Sequence, residues 1–326
     1  MDAKYSYSVV KEMLEAPGII RRFDRACTSH WVQAIEAKKR LFLTGEGASR
    51  IFPAKNAISL ALQKRVPWHI CTEGARQAAG YDLRDFFVIG ASASGRTREL
   101  TELFEKLKEK KITTHAVTAA GSRLAEIADH ALPLLCGPEK ATAATKSVVE
   151  EALVYQSLLR GDEWKNQAKA ADLCEEVLGR DIAPEIVGIL KYAPVIYFSG
   201  RNDGVAEELA LKTNEIAHKM SCYLEGTYAL HGIEEVMRDG EVVVVVEPFS
   251  EEIEKYQKVL QERAGVKVIA ISSFDTPFPT VKIPAQDGFN GYLQLLAGWN
   301  LLVATGLAKG IDIDKTTRAR KIGNEI

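Results

Sequence analysis

Residues 86–110 read FFVIGASASGRTRELTELFEKLKEK, and the fold is decided here. The apolar run Phe86–Ile89 has the length and composition of a buried strand. The segment Gly90-Ala91-Ser92-Ala93-Ser94-Gly95-Arg96-Thr97 that follows is built mostly of small residues, and from Arg98 onward apolar positions recur at helical spacing. Small residues let the backbone approach a ligand closely. The helix start adds unpaired N–H groups and a positive dipole end. Ser92, Ser94 and Thr97 bring hydroxyls to the same spot, so the turn has the means to hold a phosphate dianion without a lysine. An ordinary helix N-cap is the competing reading of Ser94 and Thr97.

The same strand-to-helix cadence extends in both directions. Arg40–Leu43 (RLFL), Thr114–Val117 (THAV) and His130–Leu135 (HALPLL) are further strand candidates, each beside a helical pattern. Pro194–Phe198 (PVIYF), Val242–Val246 (VVVVV), Lys267–Ile271 (KVIAI) and Val281–Pro284 (VKIP) repeat the series later. Each returns at an offset of about 150 residues, positions 41, 86, 115 and 132 being matched by 195, 242, 268 and 282. A duplicated α/β chain follows, with two parallel sheets each covered on both faces. The expected division is an N-terminal helical extension over 1–30, a first lobe over 31–178, a second over 179–311 and a polar tail over 312–326.

The duplication supplies an internal control. Where the first lobe has its serine turn, the second has Glu247-Pro248-Phe249-Ser250-Glu251-Glu252, without glycine and with three carboxylates. Anion binding is therefore expected in the first lobe alone. Ser49, at the end of the other glycine-rich turn there (TGEGASR), lies where a neighbouring strand end would bring it to the same place.

Composition narrows the function. The 326 residues are 46% apolar and 26% charged, and 42 lysines and arginines stand against 44 acids for a net charge of −2. No basic excess exists to neutralise nucleic acid. Tyr292–Ala308, the longest apolar stretch, contains Gln294 and Asn300 and reads as a buried helix, so no membrane span is expected. The N-terminus has no apolar core of a secretory signal, and the five cysteines never form a Cys-x-x-C pair; a cytoplasmic protein without a metal site or cofactor is expected. A helix over Val205–Met220 would put Lys212 and Glu215 on one face, either as an exposed pair or as a working one. His231 lies 16 residues beyond Glu215, and spacing alone also allows a satisfied core histidine.

Taken together, Gly45-x-Gly47-x-Ser49, Ser92-x-Ser94-Gly95-x-Thr97, Glu139-x-x-x-Ala143-x-Thr145-Lys146 and Lys212-x-x-Glu215 with His231 resemble the SIS (sugar isomerase) family, in particular its aminotransferase isomerase halves. The resemblance runs from the first strand to the tail segment DIDKTTRARK, ending at Lys321. It implies flavodoxin-like three-layer lobes and a phosphorylated sugar as substrate. It also implies that Ser49, Ser92, Ser94 and Thr97 hold the sugar phosphate, with Gly47, Ala93, Thr142 and Lys146 as further substrate contacts. Glu215 corresponds to the base moving a proton between C1 and C2, and Lys212 to a lysine assisting it. His231 corresponds to the ring-opening histidine, supplied across a homodimer interface, and Lys321 to a Schiff-base lysine.

Departures from the pattern bear on the sugar and its nitrogen substituent. Ala93 stands where the family has glutamine, Arg96 where glutamate is common, and Tyr228 where a glutamate precedes the histidine. Residue 2 is Asp2, not the cysteine a glutaminase needs, so no glutaminase activity is expected. The implied activity is isomerisation or deamination of an amino-sugar or ketose 6-phosphate, such as glucosamine 6-phosphate to fructose 6-phosphate and ammonia. The alternatives are a fructosamine-6-phosphate deglycase and a non-catalytic sugar-phosphate-binding regulator.

Overall fold

A computed structural model describes residues 3–318. The first sheet holds β1 (Arg40–Gly45), β2 (His69–Gly74), β3 (Phe87–Ser92), β4 (Thr114–Thr118) and β5 (His130–Pro133). The second holds β6 (Val195–Gly200), β7 (Met220–Glu225), β8 (Val242–Val246), β9 (Lys267–Ser272) and β10 (Thr280–Lys282). Their orders are β2-β1-β3-β4-β5 and β7-β6-β8-β9-β10, with every pairing parallel. Both are the flavodoxin-like order, each with a switch point between its first and third strands. The fold is thus two tandem, doubly wound α/β lobes.

Nine helices complete the frame used below: α1 (Ser8–Arg22), α2 (Ser29–Lys38), α3 (Ile51–Gln63), α4 (Arg98–Glu109), α5 (Lys146–Ser157), α6 (Gln167–Gly179), α7 (Pro184–Tyr192), α8 (Val205–Lys212) and α9 (Asn290–Ala308). Alternation along each strand sends side chains to both faces. In β1, Leu41 and Leu43 pack with Ile35 of α2, Ala54 of α3 and Tyr155 of α5. Phe42 faces the other way, towards Leu103 and Phe104 of α4. The central core runs from Val9 of α1 through α6, α7 and α9 to Phe198 and Val244 of the second sheet. Tyr292–Ala308 lies within α9, whose Leu293, Trp299 and Leu302 are fully buried. Among the described residues no helix is long and apolar enough to cross a membrane.

Two expectations need correction. The strands β2 (HICTEG) and β7 (MSCYLE) were not anticipated. Both are edge strands whose residues are only partly buried, so neither needs a continuous apolar run. The helix anticipated over Val205–Met220 ends early: α8 stops at Lys212, loosens into a π-turn over Thr213–Ala217, and halts at His218, whose φ of 48° is left-handed. Met220 already belongs to β7.

The lobes meet where α8 crosses α3. At Gly204, with φ of 87°, a Cβ would come within 2.6 Å of the Ile51 carbonyl oxygen, so the close approach of the two helix starts requires glycine.

Candidate active site

The serine turn lies at the carboxyl end of β3, and its hydroxyls hold its shape. Ser92 Oγ accepts from Gly95 N at 3.1 Å and lies 2.9 Å from Thr97 Oγ1, while Ser94 Oγ accepts from Arg96 N at 3.2 Å. Gly95 has φ of 64°, and a Cβ there would press on Ser122 and lie 2.6 Å from Thr118 Oγ1. Thr97 occupies the N-cap position of α4, yet its side chain makes no cap hydrogen bond. The capping alternative therefore fails for Thr97: the first N–H groups of α4 lack a capping side chain and face the turn.

A cleft of about 300 Å³ opens above this turn, lined by Glu46, Gly47, Ser49, Ser92, Ala93, Ser94, Thr97, Glu139 and Thr142 from the first half of the chain. Leu211, Lys212 and Glu215 close it from the second lobe. Eight anticipated residues thus meet in one cleft: Gly47, Ser49, Ser92, Ala93, Ser94, Thr97, Thr142 and Glu215, with Lys212 as a ninth at its floor. Lys212 Nζ donates to Glu215 Oε2 at 2.8 Å and stands 3.2 Å from Glu208 Oε1. Burial pulls the Lys212 ammonium down, but the two carboxylates outweigh it and leave it above the ordinary lysine value. Burial raises Glu208 to about 7 against the pull of Lys212. Burial also lifts Glu151 of α5 well above the carboxylate range, with Ser49 acting the other way.

Other anticipated residues lie elsewhere. Lys146 is buried at the start of α5 and donates to Glu15 Oε2 of α1 at 2.8 Å, away from the cleft lining. His231 is exposed on the second lobe, its N–H bonded to the Tyr228 carbonyl at 3.1 Å, and it does not line the cleft. Lys321 falls outside the described residues. The approach of the tail is visible: the Asp314 carbonyl accepts from Thr142 Oγ1 at 3.3 Å, and its carboxylate receives Ser8 N and Val9 N at 2.7 and 2.8 Å. The chain beyond Asp314 therefore starts from the cleft's edge.

Two acidic cleft residues carried no expected role. Glu139 fixes one wall, accepting from Thr145 N at 2.7 Å and Ser147 Oγ at 2.6 Å. Its signal was an acid placed six and eight residues before two hydroxyl residues at a helix start. Glu46 receives Arg76 N at 3.1 Å and borders the cleft opposite.

The arrangement is a two-ended site, one end made of hydroxyls and helix N–H groups for an anion, the other a carboxylate steadied by an ammonium. Residues 34–160 match the family model described as SIS domain. The match lies within the first lobe. The chain is 26% identical over 268 residues to a glutamine–fructose-6-phosphate aminotransferase (isomerizing) of Bradyrhizobium diazoefficiens, covering 73% of this chain and 44% of that protein. The chain spans less than half the length of the curated relatives it matches. Among solved structures, the C-terminal domain of glucosamine-fructose-6-phosphate aminotransferase from Francisella tularensis superposes with a TM-score of 0.79 at 20% identity, covering 97% of this chain and 100% of that one. A glucosamine-6-phosphate deaminase from Thermotoga maritima gives 0.74 at 19% identity, covering 96% and 98%. These two likenesses establish the shared fold.

Proposed function

We propose that the protein is an enzyme of amino-sugar or ketose 6-phosphates, opening the ring and then moving a proton between C1 and C2. The observation carrying this reading is the single cleft that joins Ser49, Ser92, Ser94 and Thr97 to Glu215 and Lys212. The phosphate sits against the serine turn and the start of α4, where fixed N–H and O–H donors replace its water. The sugar then extends towards the second lobe. Lys212, held between two carboxylates, orients Glu215 at the cleft floor.

Glu215 takes the proton from the carbon beside the carbonyl and returns it to the neighbouring carbon. With a hydroxyl at C2 the outcome is an aldose–ketose shift. With an amine at C2 the proton moved to C1 leaves a C2 imine, and water then yields ketose and ammonia. Ring opening needs an acid–base group at the ring oxygen. His231 fills that role from a second subunit of a homodimer, since on its own subunit it is outside the cleft. Lys321 is the lysine for a transient imine with the ketose.

The test is incubation of the full chain with glucosamine 6-phosphate in D₂O, followed by proton NMR and an ammonia assay. Ammonia with fructose 6-phosphate is the expected result. Deuterium uptake without ammonia would assign isomerisation alone, and neither signal would overturn the reading.

A further inference from the structure

Glu151, on α5, is fully buried, and neither of its carboxyl oxygens has a partner in hydrogen-bond geometry. The helix packs against α3 and against the turn Gly47–Ser49, where Ser49 presents the hydroxyl that acts on this carboxyl. The acids around it are satisfied. Glu150 accepts from Leu135 N and Cys136 N at 2.8 and 2.7 Å. Glu139 accepts from Thr145 N and Ser147 Oγ, and Glu208 has the Lys212 ammonium at 3.2 Å. These three carboxylates are the charges that weigh most on Glu151, and each opposes its ionisation. A buried carboxylate with neither a cation nor an N–H donor beside it is costly, and such a group keeps its proton instead.

The protonation state of Glu151 decides what Ser49 can do. A serine hydroxyl has one hydrogen to give and lone pairs with which to accept. Facing an ionised Glu151, Ser49 would turn its hydrogen inward, and an anion in the cleft would meet a further negative charge. Facing a protonated carboxyl, Ser49 accepts, and its own hydrogen is left for the cleft that it lines.

We infer that Glu151 is a positioning residue: as a neutral acid it donates to Ser49 Oγ and turns the Ser49 hydrogen towards a bound phosphate. Glu151 does not line the cleft and acts only through Ser49. This role rests on the cleft being the phosphate site proposed above. It makes the anion end depend on a proton held in the core, one layer behind the hydroxyls that touch the ligand.

Inorganic phosphate is the probe, titrated into the full chain by calorimetry at fixed pH, so no turnover is needed. Wild type should bind it saturably and Ser94→Ala more weakly; failure of either would overturn the cleft reading and the role of Glu151 with it. Glu151→Gln keeps a donor of the same shape and should bind phosphate as wild type does. Glu151→Met has no donor and should bind roughly three- to tenfold more weakly, as for one lost hydrogen bond. In a Ser49→Ala background Glu151→Met should have no further effect, while in Ser94→Ala its effect should persist. Should Glu151→Met not fold, Glu151→Asp, which withdraws the carboxyl by a methylene, takes its place with the same expectations. Infrared difference spectra of wild type against Glu151→Gln should carry the band of a protonated carboxyl. With phosphate binding intact, four results would each overturn the role of Glu151 alone: wild-type affinity in Glu151→Met, an equal loss in Glu151→Gln, a loss that persists in Ser49→Ala, or a missing carboxyl band.

Discussion

Lys212 Nζ and Glu215 Oε2 stand 2.8 Å apart at the point where α8 gives way to a π-turn. The ammonium is almost completely buried, with Glu208 on its far side, while a quarter of the Glu215 side chain remains open to the cleft. The buried cation therefore anchors a carboxylate that can still reach a ligand. A regular α-helix would also have put residues 212 and 215 on one face, but the wider π-turn ends the helix there and lets β7 begin a few residues later. Such turns recur at functional sites.

Glu215→Gln keeps the shape and removes the base. Its kcat with a sugar 6-phosphate should fall by roughly 100- to 10,000-fold, the range for loss of a general base. Affinity for the sugar phosphate should change little, because the phosphate donors are in the other lobe. Steady-state kinetics paired with calorimetric binding check both halves. A large loss of binding with kcat preserved would remove Glu215 from the chemistry.

Ser94→Ala addresses the anion end. Its Oγ accepts only Arg96 N within the turn, so the fold loses little. A hydroxyl donor to a charged phosphate contributes about 1.5–3 kcal/mol, so KM should rise roughly tenfold or more with kcat nearly unchanged. Inhibition by inorganic phosphate should weaken in parallel. Ser92→Ala should cost stability as well, since Ser92 Oγ serves Gly95 N and Thr97 Oγ1.

What the sequence made legible follows from what each element had to bury. The central strands, covered on both faces, were apolar runs, and their return about 150 residues later announced the duplication. The edge strands His69–Gly74 and Met220–Glu225 are half exposed and mix polar with apolar residues, so no run marked them. They too lie about 150 residues apart, and the repeat itself was their usable signal. At the site, small residues and hydroxyls beside a helix start marked the turn that lines the cleft. Glu215 and Lys212 were legible as a pair, but their meeting with the serine turn depends on the crossing of α3 and α8, which local pattern does not encode. Lys146 shows the opposite case: beside the site in sequence, it turns to Glu15 on the N-terminal helix.

His231 provides a test of assembly. If each site takes its histidine from the partner subunit, a dimer of one Glu215→Gln chain and one His231→Ala chain has one site with both lesions and one with none. Random pairing of equal amounts should then restore about a quarter of wild-type activity from two inactive proteins. Co-refolding or prolonged mixing followed by the assay measures this. Activity staying at the level of the separate variants, with hybrids verified by mass, would place His231 outside a shared site.

His115 predicts a pH dependence of stability. The ring is buried in β4, stacked on Phe87 at 3.8 Å between centroids, with Nδ1 3.1 Å from the Val88 carbonyl. Burial lowers its pKa to about 4; the Val88 contact opposes the shift and neighbouring His130 adds to it. An unfolded histidine titrates near 6.5. Between these values the unfolded chain binds the extra proton, so stability is full above about 6.5 and falls as pH drops towards 4, by roughly 2–3 kcal/mol at most. Asp203 and Glu208, raised by burial to about 6 and about 7, slope the other way: their raised values favour the folded chain at low pH and the benefit is lost as pH rises. Both groups are common to wild type and to His115→Gln, so the difference between the two proteins isolates the histidine. Denaturant unfolding from pH 4 to 8 should show the wild type losing more stability than the variant on acidification. Parallel curves for the two proteins would mean that His115 titrates alike in both states.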